Sequence, residues 1–227
     1  MAGTIVAMGG ISWEDEERRP LEDYWLGLTG AERPRVLLVP TAVGDAVEPT
    51  LSIVEHLYHR AEVTVVRFFP WPPADLRELA LTSDAIYVSG GNTANALAIW
   101  RVHGFDAILR EAWQAGVVLA GWSAGMICWF EAGVTDSFGP QLEGMRDGLG
   151  FLPGSACPHY DGEELRRPVY TRLVREGFPA GIALDDGVAA HYLGAELHEV
   201  FTDRPEAGGY LVGPEGESPL AVRRLTW

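Results

Sequence analysis

The chain has 227 residues, enough for one large domain or two small ones, and 47 % hydrophobic with 22 % charged residues is the composition of an ordinary globular protein. Lys and Arg number 17 against 32 Asp and Glu, a formal net charge of −15, which argues against nucleic acid or an anionic membrane surface as partner because both require a basic face. Cys128 and Cys157 make no disulfide framework and no apolar run reaches membrane-spanning length. Met1-Ala2-Gly3-Thr4 lacks the basic start of a signal peptide, so reduced cysteines and a cytoplasmic location are expected.

In chain order, Thr4 to Met8 reads as a first buried strand ending at Gly9-Gly10. The charged Glu14-Asp15-Glu16-Glu17-Arg18-Arg19 reads as a solvated loop, and Leu21 to Leu28 as a short helix closed by Gly30. Arg35 to Val39 is a second strand, stopped by Pro40-Thr41. Leu51, Val54, Leu57 and Tyr58 have helical spacing within Glu48 to Ala61. Glu62 to Phe69 is a third strand, and Phe69-Pro70-Trp71-Pro72-Pro73 is a turn, too short and too apolar for a linker. Leu76 to Leu81 is a helix, and Asp84 to Ser89 a fourth strand running into Gly90-Gly91-Asn92-Thr93. Ala94 to Val102 and Phe105 to Ala115 are helices broken at Gly104, and Val117 to Ala120 is the fifth strand.

Strands that alternate with amphipathic helices predict right-handed βαβ units and a mostly parallel sheet with helices on both faces. Ligands on such sheets sit at the carboxyl ends of strands, where Gly9-Gly10, Pro40-Thr41, Gly90-Gly91-Asn92 and Gly121-Trp122-Ser123 all fall. After the fifth strand, Met126 to Phe130 is compatible with helix, and Gly133 to Gly150 reads as loop with short strands. A helix is expected from Pro168 to Gly177. Gly181–Leu184, Gly187–Tyr192, Glu196–Thr202, Gly209–Val212 and Leu220–Leu225 follow as short strands with gaps too small for helical crossovers, so antiparallel pairing is expected. Residues 1–227 are read as one domain.

The most informative stretch is Val117-Val118-Leu119-Ala120-Gly121-Trp122-Ser123-Ala124-Gly125-Met126, a G-x-S-x-G pattern between a strand and a helix-compatible segment. Such a turn strains the Ser and needs small neighbours; it lifts the hydroxyl clear of the sheet beside free N–H groups. Ser123 is therefore a candidate nucleophile, which calls for a base, an orienting acid and an oxyanion hole. Of the six histidines, His56, His59, His103, His191 and His198 fall in helices or strands. His159 instead follows a Pro in a loop, flanked by Tyr160 and Asp161, and is the candidate base. Asp186 is the candidate acid, in Asp185-Asp186 after the apolar Gly181-Ile182-Ala183-Leu184. Asp136 is the alternative acid and Asp185 a third. The Ala124 N–H is one oxyanion donor, and Gly90-Gly91 suits the other because Gly lets backbone approach a reacting carbonyl. With Asp186 as acid the order is Ser–His–acid, unlike the Ser–acid–His order of α/β-hydrolases.

Gly90-Gly91-Asn92-Thr93, then Gly121-Trp122-Ser123-Ala124-Gly125, then Pro158-His159-Tyr160 resembles the peptidase E (aspartyl dipeptidase) and cyanophycinase family of serine peptidases. The likeness covers most of the chain in strand order. It implies a fold like the class I glutamine amidotransferase domain (flavodoxin-like), with Ser in place of the amidotransferase Cys. It also implies a Ser–His–acid triad and Asp-X dipeptidase-like hydrolysis of short peptides. Ser123 and His159 carry over to the triad, Gly91 and Ala124 to the oxyanion hole, and Asn92 is a candidate substrate contact. The chain departs from the family in Asp186-Gly187, where Glu-Gly is usual. It departs again after the His, where Gly162-Glu163-Glu164-Leu165-Arg166-Arg167 replaces a Thr-Arg-Glu-like stretch. Arg166 or Arg167 is a candidate holder of a substrate carboxylate, since Arg binds carboxylates bidentately. No cofactor or metal is expected, since the spacing offers no zinc motif. A small peptide is the expected partner, and a homodimer a candidate assembly. An esterase, an amidotransferase-like acyl transferase and a non-catalytic binding protein on the same fold are the alternatives.

Overall fold

The computed structural model describes residues 3–11 and 20–225, so the acidic stretch Glu14–Arg19 lies outside the described residues. The elements are β1 (Thr4–Met8), α1 (Pro20–Gly27), β2 (Arg35–Val39), α2 (Val47–Leu57), β3 (Glu62–Val65), α3 (Leu76–Thr82) and β4 (Ala85–Val88). Then come α4 (Thr93–Val102), α5 (Phe105–Ala115), β5 (Val118–Trp122), α6 (Ala124–Ile127), β6 (Phe130–Thr135), β7 (Glu143–Met145) and β8 (Leu152–Cys157). The chain finishes with α7 (Arg166–Arg175), β9 (Gly181–Leu184), β10 (Val188–Leu193), β11 (Glu196–Thr202), β12 (Gly209–Gly213), β13 (Gly216–Pro219) and β14 (Val222–Arg224).

An eight-stranded sheet has the order β14-β11-β10-β1-β5-β4-β2-β3. Its β1, β5, β4, β2 and β3 are parallel to their neighbours, and β10 adds antiparallel to β1. Its strands are continuous apolar runs because both faces are covered. Val6, Met8, Val36, Leu38, Tyr87 and Ala120 point to one face, into a core with Trp25 of α1 and Ile53 and Leu57 of α2. Their strand neighbours Ile5, Ala7, Leu37, Val39, Ile86 and Leu119 point to the other, into a core with Leu97 and Trp100 of α4 and Leu109 of α5. That second core continues through Phe130, Leu152, Ala156 and Ile182, which belong to a six-stranded sheet of order β13-β12-β9-β8-β6-β7. Helix α7 covers the far side of the smaller sheet with Tyr170 and Val174.

Several expectations are corrected. The segment after Ser123 is a single helical turn, and β6 starts at Phe130, where helix was expected. Ile127 to Phe130 is apolar at every position, and such short runs do not separate strand from helix by period. Helix α7 starts at Arg166, two residues before Pro168. The late strands are not uniformly antiparallel: β9, β10, β11, β12 and β13 include antiparallel pairs, whereas β8 with β9 and β11 with β14 are parallel. Among the described residues no helix is long and apolar enough to cross a membrane.

Candidate active site

The site is hung from the end of β1. Strands β1 and β5 are parallel neighbours with Met8 opposite Trp122, so the residue after β5 meets the β1 terminus. Three consecutive carbonyls then accept one backbone N–H each. Met8 O takes Ser123 at 3.1 Å, Gly9 O takes His159 at 3.2 Å, and Gly10 O takes Gly187 at 3.0 Å. Residues far apart in sequence are thus tied within one tripeptide's length of backbone. The two glycines leave room for this. A Cβ on Gly9 would come within 2.5 Å of the Leu184 and Asp185 carbonyl oxygens, and one on Gly10 within 1.9 Å of Asp186 Oδ1 and 2.8 Å of His159 Nδ1. The sequence marks Gly9-Gly10 as a strand end; that it frames the imidazole and carboxylate depends on contacts that only the fold creates.

Ser123 has φ 56° and ψ −111°, a conformation that strains a non-glycine residue by about 1–3 kcal/mol. Its flanking glycines are sterically required. A Cβ on Gly121 would lie 2.5 Å from Gly125 O, and one on Gly125 2.3 Å from Val88 O. Met126 and Ile127 donate their N–H groups to Ser123 O, both at 2.9 Å, which closes the turn. Ala124 opens α6, so its N–H has no intrahelical acceptor. Gly91 sits at φ 126°, pressed so close to Ala42 that a Cβ would come 2.3 Å from Ala42 O. Ser89 and Asn92 donate to Val39 O and Ala42 O, and the Gly91 N–H between them has no acceptor among the described residues.

His159 is also left-handed, at φ 52°. Its Nδ1 is 2.6 Å from Asp186 Oδ1, with Trp122 edge-on to the ring at 6.4 Å. A carboxylate at Nδ1 holds the proton there and leaves Nε2 as the basic atom. No hydrogen bond joins the Ser123 hydroxyl to His159; such contacts often tighten only with substrate bound. Asp186 is itself clamped. Its N–H donates to Asp161 Oδ1 at 2.9 Å, and Arg204 Nη1 donates to both Asp186 O at 2.7 Å and Asp161 Oδ2 at 3.0 Å. Asp161 and Arg204 carry no sequence signal beyond surface charge, and sequence reasoning missed their part.

The other candidate acids are placed differently. Asp185 turns away from His159: Oδ2 accepts the Gly208 N–H at 2.8 Å, and Oδ1 has no partner among the described residues. Burial pushes its carboxyl up to about 6, partly offset by the Gly208 N–H. Asp136 is exposed, next to Ser137, which binds the Asn92–Ala94 segment.

Of the three sequence candidates for substrate contact, Asn92 and Arg166 prove to be committed elsewhere, and Arg167 is engaged only in part. Asn92 is the N-cap of α4, accepting from the Asn95 N–H at 2.9 Å, while its Nδ2 donates to Ser137 O. Arg166 is only 3 % exposed; its guanidinium binds both oxygens of Glu163 and donates to Val134 O. Arg166 therefore braces α7 against β6, and is neither surface charge nor free. Arg167 lies 4.7 Å over each of the Tyr160 and Tyr210 rings, with Nε 3.4 Å from Glu217 Oε2. Cys128 and Cys157 are free and buried, and burial raises both thiols, which makes them poor nucleophiles.

The family model for Peptidase family S51 matches residues 5–200. The chain belongs to peptidase family S51. It is accordingly a serine-type peptidase. An uncharacterized peptidase of Bacillus subtilis (strain 168), YgaJ, is 44 % identical over 232 residues, covering 97 % of this chain and 98 % of that protein. Peptidase E of Shewanella denitrificans is 30 % identical over 158 residues, covering 65 % of this chain and 66 % of that one. Among solved structures, a peptidase from an acI-B1 Actinobacterium superposes with a TM-score of 0.69 at 18 % identity, covering 98 % of this chain and 95 % of that chain. A putative peptidase E protein from Listeria monocytogenes EGD-e gives 0.66, also at 18 % identity, covering 87 % and 97 %. At that identity the structural likeness establishes the S51 peptidase fold.

Proposed function

We propose that this S51 peptidase hydrolyses short peptides with Ser123 as nucleophile, His159 as general base and acid, and Asp186 as the carboxylate that orients the imidazole. The observation that carries the reading is the 2.6 Å bond between His159 Nδ1 and Asp186 Oδ1, next to a strained Ser123 tied to the adjoining carbonyl of the same strand end. In this mechanism Ser123 Oγ attacks the scissile carbonyl carbon and gives its proton to His159 Nε2. The N–H groups of Ala124 and Gly91 hold the oxyanion. Collapse breaks the C–N bond, and Nε2 returns the proton to the departing amine. A water molecule then attacks the acyl ester, with His159 again taking and returning a proton, and releases the acid and free Ser123.

The Asp-X dipeptidase-like preference implied by the resemblance needs a cation for the substrate carboxylate. Glu163 holds the buried Arg166 on two atoms, whereas Arg167 is half exposed, adjoins Tyr160 next to His159, and has the longer contact to its acid. Arg167 is the better supported partner. The test is turnover of a panel of Asp-X and Ala-X dipeptides. Ser123→Ala should abolish measurable hydrolysis of every member. Arg167→Ala should raise KM for Asp-X about tenfold, in line with about 1.4 kcal/mol for a charge-assisted contact, and leave Ala-X unchanged. Hydrolysis that survives Ser123→Ala ends the proposal; equal KM changes on both substrate types end the role of Arg167 alone.

A further inference from the structure

A catalytic carboxylate works only if its supporting contacts hold it within about 0.5 Å of the productive position. Asp186 belongs to the turn between β9 and β10, partly exposed, and among the described residues its carboxylate hydrogen-bonds only His159. Its main chain is held instead, by two charged residues from other parts of the chain. The Asp186 N–H donates to Asp161 Oδ1 at 2.9 Å. Arg204 Nη1 donates to Asp161 Oδ2 at 3.0 Å and to Asp186 O at 2.7 Å. The three contacts close a ring, in which both polar groups of the Asp186 main chain have a charged partner. Hydrogen bonds to ionised groups are about twice as strong as neutral ones.

Both ends of the ring are anchored next to the candidate triad. Asp161 is two residues after His159, in a turn closed by the Glu163 N–H on His159 O at 3.1 Å. Arg204 follows β11, where its N–H donates to Thr202 Oγ1 and the Asp203 N–H donates to Gly187 O at 3.2 Å. The Arg204 stem lies on Gly187, where a Cβ would come 2.7 Å from Arg204 Cδ. Base and acid are thus joined twice, once through Nδ1 and Oδ1, and once through Asp161 and the Asp186 N–H. The place of the guanidinium matters. On the carboxylate it would compete with the imidazolium for the negative charge; on the carbonyl it fixes the residue and leaves that charge to His159. Stability does not account for the pair. The Asp161 and Arg204 side chains are 34 % and 37 % exposed, and ion pairs so open add little to folding.

We propose that Asp161 and Arg204 are positioning residues of the peptidase reaction: acting as one unit, they hold the Asp186 main chain so that its carboxylate stays on His159 Nδ1. The proposal rests on the Ser123–His159–Asp186 reading above. It extends the working site to the turn after β11, which touches neither Ser123 nor His159 and acts only through Asp186.

The test reads the His159 tautomer from imidazole 15N NMR shifts in the full-length chain carrying Ser123→Ala, alongside kcat and KM of the same substitutions in the active chain. Arg204→Met keeps the stem on Gly187 and removes the donors. It should lower kcat about tenfold with KM within about twofold, leave the melting temperature nearly unchanged, and turn a single Nδ1-protonated His159 into a mixture of tautomers. Asp161→Ala also removes the acceptor of the Asp186 N–H and should lower kcat about 10²-fold. The double variant should be no worse than Asp161→Ala alone, because the two residues share one function. A His159 tautomer unchanged by both single substitutions overturns the proposal, and so do kcat losses that multiply in the double variant. Hydrolysis that survives Ser123→Ala would end the triad reading; the 15N shifts depend only on the His159–Asp186 contact and decide the positioning role separately.

Discussion

His159 and His191 both commit Nδ1 to a hydrogen bond, to Asp186 at 2.6 Å and to Tyr24 at 2.9 Å, and both keep Nε2 free. What borders the free nitrogen separates them. His159 sits in a left-handed loop conformation on a strand end that also carries Ser123, with its side chain half-buried. His191 lies inside β10 where its pairing with β11 shifts register, buried, beside a second imidazole. The same tautomer thus leaves a half-buried basic nitrogen in one place and a fully buried one in the other. The chemistry is set by the neighbour at Nε2 and by exposure.

The largest effect expected at the first site is from Asp186→Asn. It removes the charge that fixes the His159 tautomer, and kcat should fall about 10³–10⁴-fold with little change in KM. A small change would mean that a different acid, with Asp136 the alternative from the sequence, orients the ring. Gly10→Ala is more selective. Its Cβ would sit 1.9 Å from Asp186 Oδ1, so the carboxylate must move off the imidazole while the strand itself stays intact. Activity should drop about 10²-fold, a typical cost of misplacing a catalytic group by an ångström, with the melting temperature nearly unchanged. Equal losses of activity and stability would show instead that the glycine serves folding.

The smallest effect concerns Asp185. Its folded-state carboxyl titrates at about 6 against an ordinary 3.8, with burial the main cause. Between those values the folded chain holds a proton that the unfolded chain has released. Stability therefore rises as pH falls from about 6 to 4, and ionised Asp185 is a liability above 6. Asp185→Asn keeps an acceptor for the Gly208 N–H without the charge. It should be more stable than wild type by about 1 kcal/mol at pH 8, after discounting for partial solvation, with the gap closing near pH 4 in thermal melts. A gap that widens on acidification would reverse the assignment.

Where local pattern decides structure, the sequence was readable. Val36 to Val39 and Ala85 to Val88 are continuous apolar runs because each face of the sheet has its own core, and Gly104 breaks α4 from α5 in a left-handed turn as its position suggests. The G-x-S-x-G stretch announces its strained turn because a Cβ on Gly121 or Gly125 would meet backbone oxygen at 2.5 or 2.3 Å. What stayed hidden depends on long-range pairing. The smaller sheet begins in an all-apolar segment that reads equally well as helix. Arg166 reads as a candidate substrate contact, although Glu163 and Val134 O satisfy it inside the fold. The Asp161–Arg204 clamp joins residues 43 positions apart, and the bulge that turns His198 toward His191 has no composition signal.

The most direct test of the central claim is reaction with a fluorophosphonate probe followed by peptide mass spectrometry. The account predicts one adduct per chain, on Ser123, formed much more slowly in Asp186→Asn and absent in Ser123→Ala. An adduct on another residue, or labelling undiminished in Ser123→Ala, would contradict it.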